Sequence, residues 1–268
     1  MAAGEMEKIF NRSILFSFTK KKGALVFPIL VLCGILIVFC RAIAYQSSGW
    51  IAMSMTFLPI FLSSGILLAL GVFLIRIYYH EVKNLKMDYK RILSTSWDLL
   101  VGTSYISLPI IIVYLLLWVV FGIFLLLKEI PGIGPVIGVF LSFAPYLIIL
   151  SSLVLALFTI ALLFYVTPRV GLAQTKRRFK IKEFYTSMHK HLFSHLVHLL
   201  VALIPILFIV GLLTLAAVIT DISYVVDNHI LSIALKWFFI MLPFCAFLTP
   251  AVVFFFNFAA ESYNKLKN

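Results

Sequence analysis

Six long apolar runs dominate this chain, and they leave it one class of fold. The hydrocarbon core of a bilayer is about 30 Å thick and an α-helix rises about 1.5 Å per residue, so about 20 mostly apolar residues make one crossing. The runs predict spans over residues 24–44, 50–78, 105–127, 136–166, 193–219 and 231–260. With 63% of its 268 residues hydrophobic and only 12% charged, the chain lacks the polar surface of a soluble domain. Inside lipid each backbone N–H and C=O must be met within its own segment, which makes spans of this kind helical. The expected fold is therefore an all-α integral membrane protein with six transmembrane helices in a single polytopic domain, 1–268. The fourth run exceeds one bilayer thickness. It either tilts or is preceded by a turn at Pro131-Gly132-Ile133-Gly134-Pro135.

Charge orients these spans, because Lys and Arg are retained on the cytoplasmic side. The N-terminal segment, the second-to-third and fourth-to-fifth connections and the tail carry 19 of the 22 basic residues; Arg41, Lys128 and Lys236 fall on the other side. Both termini are expected in the cytoplasm, as an even number of spans requires. Seven of the ten acidic residues share the basic side, so the whole net charge of +12 lies there. Topology accounts for the excess without a nucleic-acid partner. A signal peptide cleaved after Ala42-Ile43-Ala44 competes for the first span, but Arg41 stands where a cleavage region is normally uncharged. Cys33, Cys40 and Cys245 all fall inside spans, where cysteine behaves as a small hydrophobe, and no disulfide is expected.

The cytoplasmic connections differ in kind from the short outer ones. Over 81–100, Val82, Leu85, Tyr89, Ile92, Leu93 and Trp97 recur at helical spacing opposite Lys83, Lys86, Lys90 and Arg91. Over 176–192, Ile181, Phe184, Tyr185, Met188 and Leu192 do the same, and a shorter version occupies 5–18. Each basic amphipathic helix leads into a span. A shift of 92 residues lays the second, third and fourth spans on the fourth, fifth and sixth. Pro28, Pro109 and Pro205 lie early in the odd spans, and Pro59, Pro145 and Pro243 lie within the even ones. The pattern fits three copies of an amphipathic helix plus a helical hairpin. It also fits six unrelated spans that tolerate proline.

The segment Arg91-Ile92-Leu93-Ser94-Thr95-Ser96-Trp97-Asp98-Leu99-Leu100-Val101-Gly102 loosely resembles bacterial and archaeal six-span proteins related to the membrane domain of glycerophosphoryl diester phosphodiesterases. That resemblance covers a small part of the chain. It implies the same six-span architecture, and a bacterial inner (plasma) membrane as the location. The catalytic phosphodiesterase domain is missing here, so the family's activity does not carry over.

Chemistry-bearing motifs are sparse. All ten acidic residues lie in connections, at span ends or on the amphipathic helices, so a mid-membrane proton relay has no carboxylate. There is no His-Glu-x-x-His motif and no glycine-rich phosphate loop. Ser63-Ser64-Gly65 reads as small residues that let helices approach. His191, His195 and His198 recur at i, i+4 and i+7 and share one helical face, next to His189. They are candidates for zinc or copper ligands or for a face that titrates near neutral pH. Three ligands on one straight helix spread about 10 Å along its axis, however, so a second helix would have to complete a tetrahedral site. Histidine also sits at headgroup depth with no ligand at all. No catalytic residue and no cofactor is expected.

The basic residues have a clearer consequence. Lys176, Arg177, Arg178, Phe179, Lys180 and Lys182, with Lys83, Lys86, Lys90 and Arg91, are candidates for contact with anionic inner-leaflet lipid. Each Lys or Arg close to such a surface contributes about 1 kcal/mol. The residues favour a non-enzymatic multi-pass protein that organises, assembles or regulates through lipid or partner contacts, the partner being a second copy or another membrane protein. The competing reading is a transporter or permease for a lipid or other apolar solute. Transport requires a polar crevice reaching mid-membrane, whereas a surface role requires a closed bundle with its basic helices lying flat.

Overall fold

The computed structural model of the protein describes residues 3–47, 49–85, 88–132, 134–172, 192–220 and 230–267. Among them there are helices and no strands. Helix α1 (Ala3–Leu15) is followed by a tight corner and α2 (Lys20–Gln46). Next come α3 (Trp50–Val82), α4 (Tyr89–Ser104), a single 3-10 turn over Tyr105–Ser107 and α5 (Leu108–Leu127). The chain continues through α6 (Gly134–Gly171), α7 (Leu192–Ile219) and α8 (Ile230–Lys267). Six helical stretches are long and apolar enough to cross a membrane, with α4 and α5 counted as one. The protein is an all-α multi-pass membrane protein.

Its six spans form three antiparallel hairpins, α2 with α3, α5 with α6 and α7 with α8. The second helix of each is the longer one, and α3, α6 and α8 pack against one another at the centre. The first helices stand outside, α2 against α8 and α5 against α3. The two described amphipathic helices follow the same rule: α1 packs on α8 and α4 on α3, each on the central helix that precedes it around the ring. Lipid offers no hydrophobic drive for helices to associate, so close packing and interhelical hydrogen bonds hold such a bundle. Phe256 lies directly on Gly71, where any side chain on α3 would collide with its ring. Phe164 and Phe255 meet edge-on at 5.6 Å, Phe254 and Phe258 are likewise 5.6 Å apart, and together these rings fill the centre.

Two local features depart from the sequence pattern. The periodic stretch 81–100 is not one helix. α3 continues to Val82, the backbone turns through Asn84 at φ 50°, and α4 begins at Tyr89 with Asp88 accepting a hydrogen bond from the Arg91 amide. Nor does α4 lie flat. Arg76 donates to Ser96 at 2.6 Å, while Gly65 packs against the Ser104 carbonyl and the Ser107 hydroxyl. The two helices thus advance residue for residue in opposite directions, and α4 stands along α3. Pro109, which has no N–H to offer Tyr105, marks the joint where the 3-10 turn passes into α5. The fourth span is a single helix from Gly134, preceded by a turn with Gly132 at φ 94°.

Candidate functional site

Both described ends of the chain meet at the basic end of the bundle, where its buried charge is concentrated. Lys22, in the first turn of α2, is fully buried. Its ammonium group pairs with the Glu81 carboxylate at the end of α3 and donates to the Phe16 carbonyl at 3.2 Å. It also lies 5.4 Å from the centre of the Tyr78 ring and 5.8 Å from that of Phe16. A carboxylate, a carbonyl and two ring faces thus surround the ammonium group, the kinds of partner that a buried cation requires. Tyr78 ties this pair to a second one. Its hydroxyl donates to Glu261 on α8 at 2.6 Å, and the same carboxylate pairs with Arg12 of α1 at 3.3 Å. Between them the Asn257 amide donates to the Ser17 hydroxyl at 3.4 Å. The corner between α1 and α2 is thereby fastened to the ends of α3 and α8.

At the opposite end the Arg41 guanidinium stacks on Trp237, 3.9 Å from the ring centre, joining α2 to α8. Towards that same end, α5 is joined to α3 by the Tyr114 hydroxyl, which donates to the carbonyl of Ser54 in the second turn of α3.

A lateral groove of about 610 Å³ opens beside the fastened corner. Its floor is the α3 face from Leu62 to Phe73, including Gly65 and Ala69. Leu25 and Ile29 of α2 form one wall, and Leu93 and Leu100 of α4 with Leu108 and Ile111 beyond it form the other. The hydroxyls of Ser104 and Ser107 belong to the lining, but they donate to the carbonyls of Val101 and Ser104 on their own helix. The groove is apolar apart from these two hydroxyls and that of Tyr105, whose side chain is exposed.

Of the residues singled out in the sequence, Lys83, Lys90 and Arg91 are exposed at this end, with the Lys83 ammonium 5.1 Å from the Tyr79 ring centre. Lys86, Lys176, Arg177, Arg178, Phe179, Lys180, Lys182 and His191 lie outside the described residues. His198 is buried, its Nδ1 2.6 Å from the Ser194 carbonyl and its ring 6.2 Å from that of Phe258, and helical periodicity alone does not tell such a packed face from a ligand face. Among the described residues, no three His, Cys, Asp or Glu side chains gather as metal ligands would. In the segment Arg91–Gly102, Ser96 is buried under Arg76 while Trp97 is exposed. Sequence reasoning passed over the Lys22–Glu81 pair and the groove. The signal for the first was available, since Lys22 is a charge in the first turn of a span.

Comparison with known protein families, with curated proteins and with solved structures gives no match.

Proposed function

We propose that this protein is a non-enzymatic component of a bacterial plasma membrane, with both termini cytoplasmic, that organises its surroundings by engaging anionic lipid at its basic end. The observation that carries this reading is a basic end whose interior is packed with phenylalanine rings while Lys20, Lys21, Lys83, Lys90 and Arg91 stay exposed around it. A permeation route would have to part α3, α6 and α8 through those rings. Two of the acidic residues at this end, Glu81 and Glu261, are committed to internal pairs, and the exposed Glu7, Asp88 and Asp98 are outnumbered by the five exposed cations, which leaves the outward field positive. Upright α4 does not meet the flat-helix requirement of this reading and changes its form. Its cations meet the headgroup layer at one end of a helix rather than along a flat face.

Spin-labelled lipids test it in the reconstituted full-length protein. The lipid shell of the wild type is expected to prefer phosphatidylglycerol over phosphatidylcholine, and the triple substitution Lys83→Gln, Lys90→Gln, Arg91→Gln should reduce that preference several-fold, since each exposed cation contributes about 1 kcal/mol at an anionic surface. A shell without preference in the wild type contradicts the reading.

A further inference from the structure

We infer that the lateral groove between α2 and α4–α5 is a specific site for one acyl chain of an anionic phospholipid, whose headgroup is received by Lys21 and Lys90. This rests on the lipid-engaging reading above and gives it a place and a stoichiometry. Depth is the first reason. From Leu62, near the middle of α3, to Phe73 towards its basic end, the floor rises about 16 Å, which is about half of a 30 Å hydrocarbon core. The groove thus runs from the midplane to the interface on one side, the length of a single chain in a single leaflet.

Chemistry is the second reason. The lining is almost wholly aliphatic and aromatic, and the hydroxyls of Ser104 and Ser107 donate within their own turn, so a hydrocarbon meets mostly apolar surface there; the third hydroxyl of the lining belongs to Tyr105, an exposed residue. The third reason is charge placement. On α2, Lys21 precedes Leu25 by four positions and Ile29 by eight; on α4, Lys90 precedes Leu93 by three and Leu100 by ten. On a helix these spacings fall on one face. Each wall therefore carries an exposed lysine one turn beyond the groove, on the headgroup side. A chain seated in the groove brings its phosphate to the level of those two ammonium groups, where an anionic headgroup is favoured over a zwitterionic one.

Native mass spectrometry of the gently extracted, delipidated full-length protein, titrated with dioleoyl phosphatidylglycerol or dioleoyl phosphatidylcholine, tests this. The wild type is expected to retain one phosphatidylglycerol per chain and to hold it at least about tenfold more tightly than phosphatidylcholine. Ala69→Trp, which fills the floor, and Ile29→Trp, which fills the facing wall, should each abolish that single retained lipid. The pair Lys21→Gln and Lys90→Gln should keep a lipid in the groove but lose roughly fivefold in phosphatidylglycerol affinity for each lysine removed. Unchanged retention in the tryptophan variants overturns the site, and so does a wild type that holds both lipids equally. Should either tryptophan variant fail to fold, the lysine pair still decides. An anionic lipid shell around a wild type that retains no single lipid would overturn the groove site and leave the proposed function standing; one retained lipid without any preference in the shell would do the reverse to that function.

Discussion

Helix α2 has two sides that close in different ways. Towards α8 it makes a tight seam. Met241 fills the space in which Gly34 lacks a side chain, the Cys245 thiol donates to the Leu30 carbonyl at 3.4 Å, and Thr249 reaches Gly23 at 3.8 Å. Towards α4 and α5 the same helix presents Leu25 and Ile29, and there the groove remains. Glycine paired with flexible or small side chains brings backbones together in lipid, whereas facing branched side chains hold them apart. α2 and α5 each grip α3, and the α3 face between them is only partly covered: Leu62 is exposed and Ile66 and Ala69 are half-buried, whereas Leu70 and Phe73 are buried. The openness of the bundle is thus decided residue by residue along one helix, and it falls on the side where the exposed lysines stand.

The contrast depends first on what holds α2 in place. Glu81→Gln leaves the Lys22 ammonium buried without its counterion, so the largest effect expected of any single change is here, about 3–5 kcal/mol of stability. Unfolding of the reconstituted protein in a steric-trapping assay measures it, and Lys22→Met with Glu81→Leu should recover much of the loss. A loss below about 1 kcal/mol would show that the pair does not anchor α2. The seam itself comes next. Gly34→Val drives a branched side chain into Met241 and Cys245, at an expected 1–3 kcal/mol, about the usual range for overpacking, and adding Met241→Ala should relieve it. Failure of that second change to restore stability would mean that the seam is not closed by this contact. The smallest effect belongs to Arg12→Ala. Its half-exposed pair with Glu261 is expected to contribute about 1 kcal/mol or less, which weakened binding at raised salt would confirm.

The existence of six spans was legible because a run of about 20 apolar residues has a single structural solution in a bilayer. Which spans lie at the centre was not, and hydropathy points the wrong way. The 2.9 mean hydropathy of the α7 span exceeds the 2.4 of α3, yet the most apolar window of α7 is 6% buried against 67% for that of α3. Lipid is as apolar as leucine, so the most hydrophobic helices face outwards and the centre goes to those with glycines, hydroxyls and paired charges. Gly71, Tyr78 and Glu81 carried that information, but only together with Phe256, Glu261 and Lys22 from other helices. The basic periodicity of 81–100 showed a half-polar helix leading into a span. Its upright stance depends on Arg76 meeting Ser96, a pairing that periodicity does not express. The groove is a gap between four helices and leaves no mark on any one of them.

The most direct test of a closed seam beside an open groove is photocrosslinking from inside the bilayer. Full-length protein in vesicles would carry a phosphatidylglycerol with a diazirine near the middle of one acyl chain, and the labelled residues would be read by peptide mass spectrometry. Labelling is expected to concentrate on the α3 face around Ile66 and Ala69 and on Ile29, to spare Gly34, Met241 and Cys245, and to fall in the groove when unlabelled phosphatidylglycerol competes. Equal labelling of the two sides of α2, or a groove no more reactive than the exposed outer face of α7, would contradict this account.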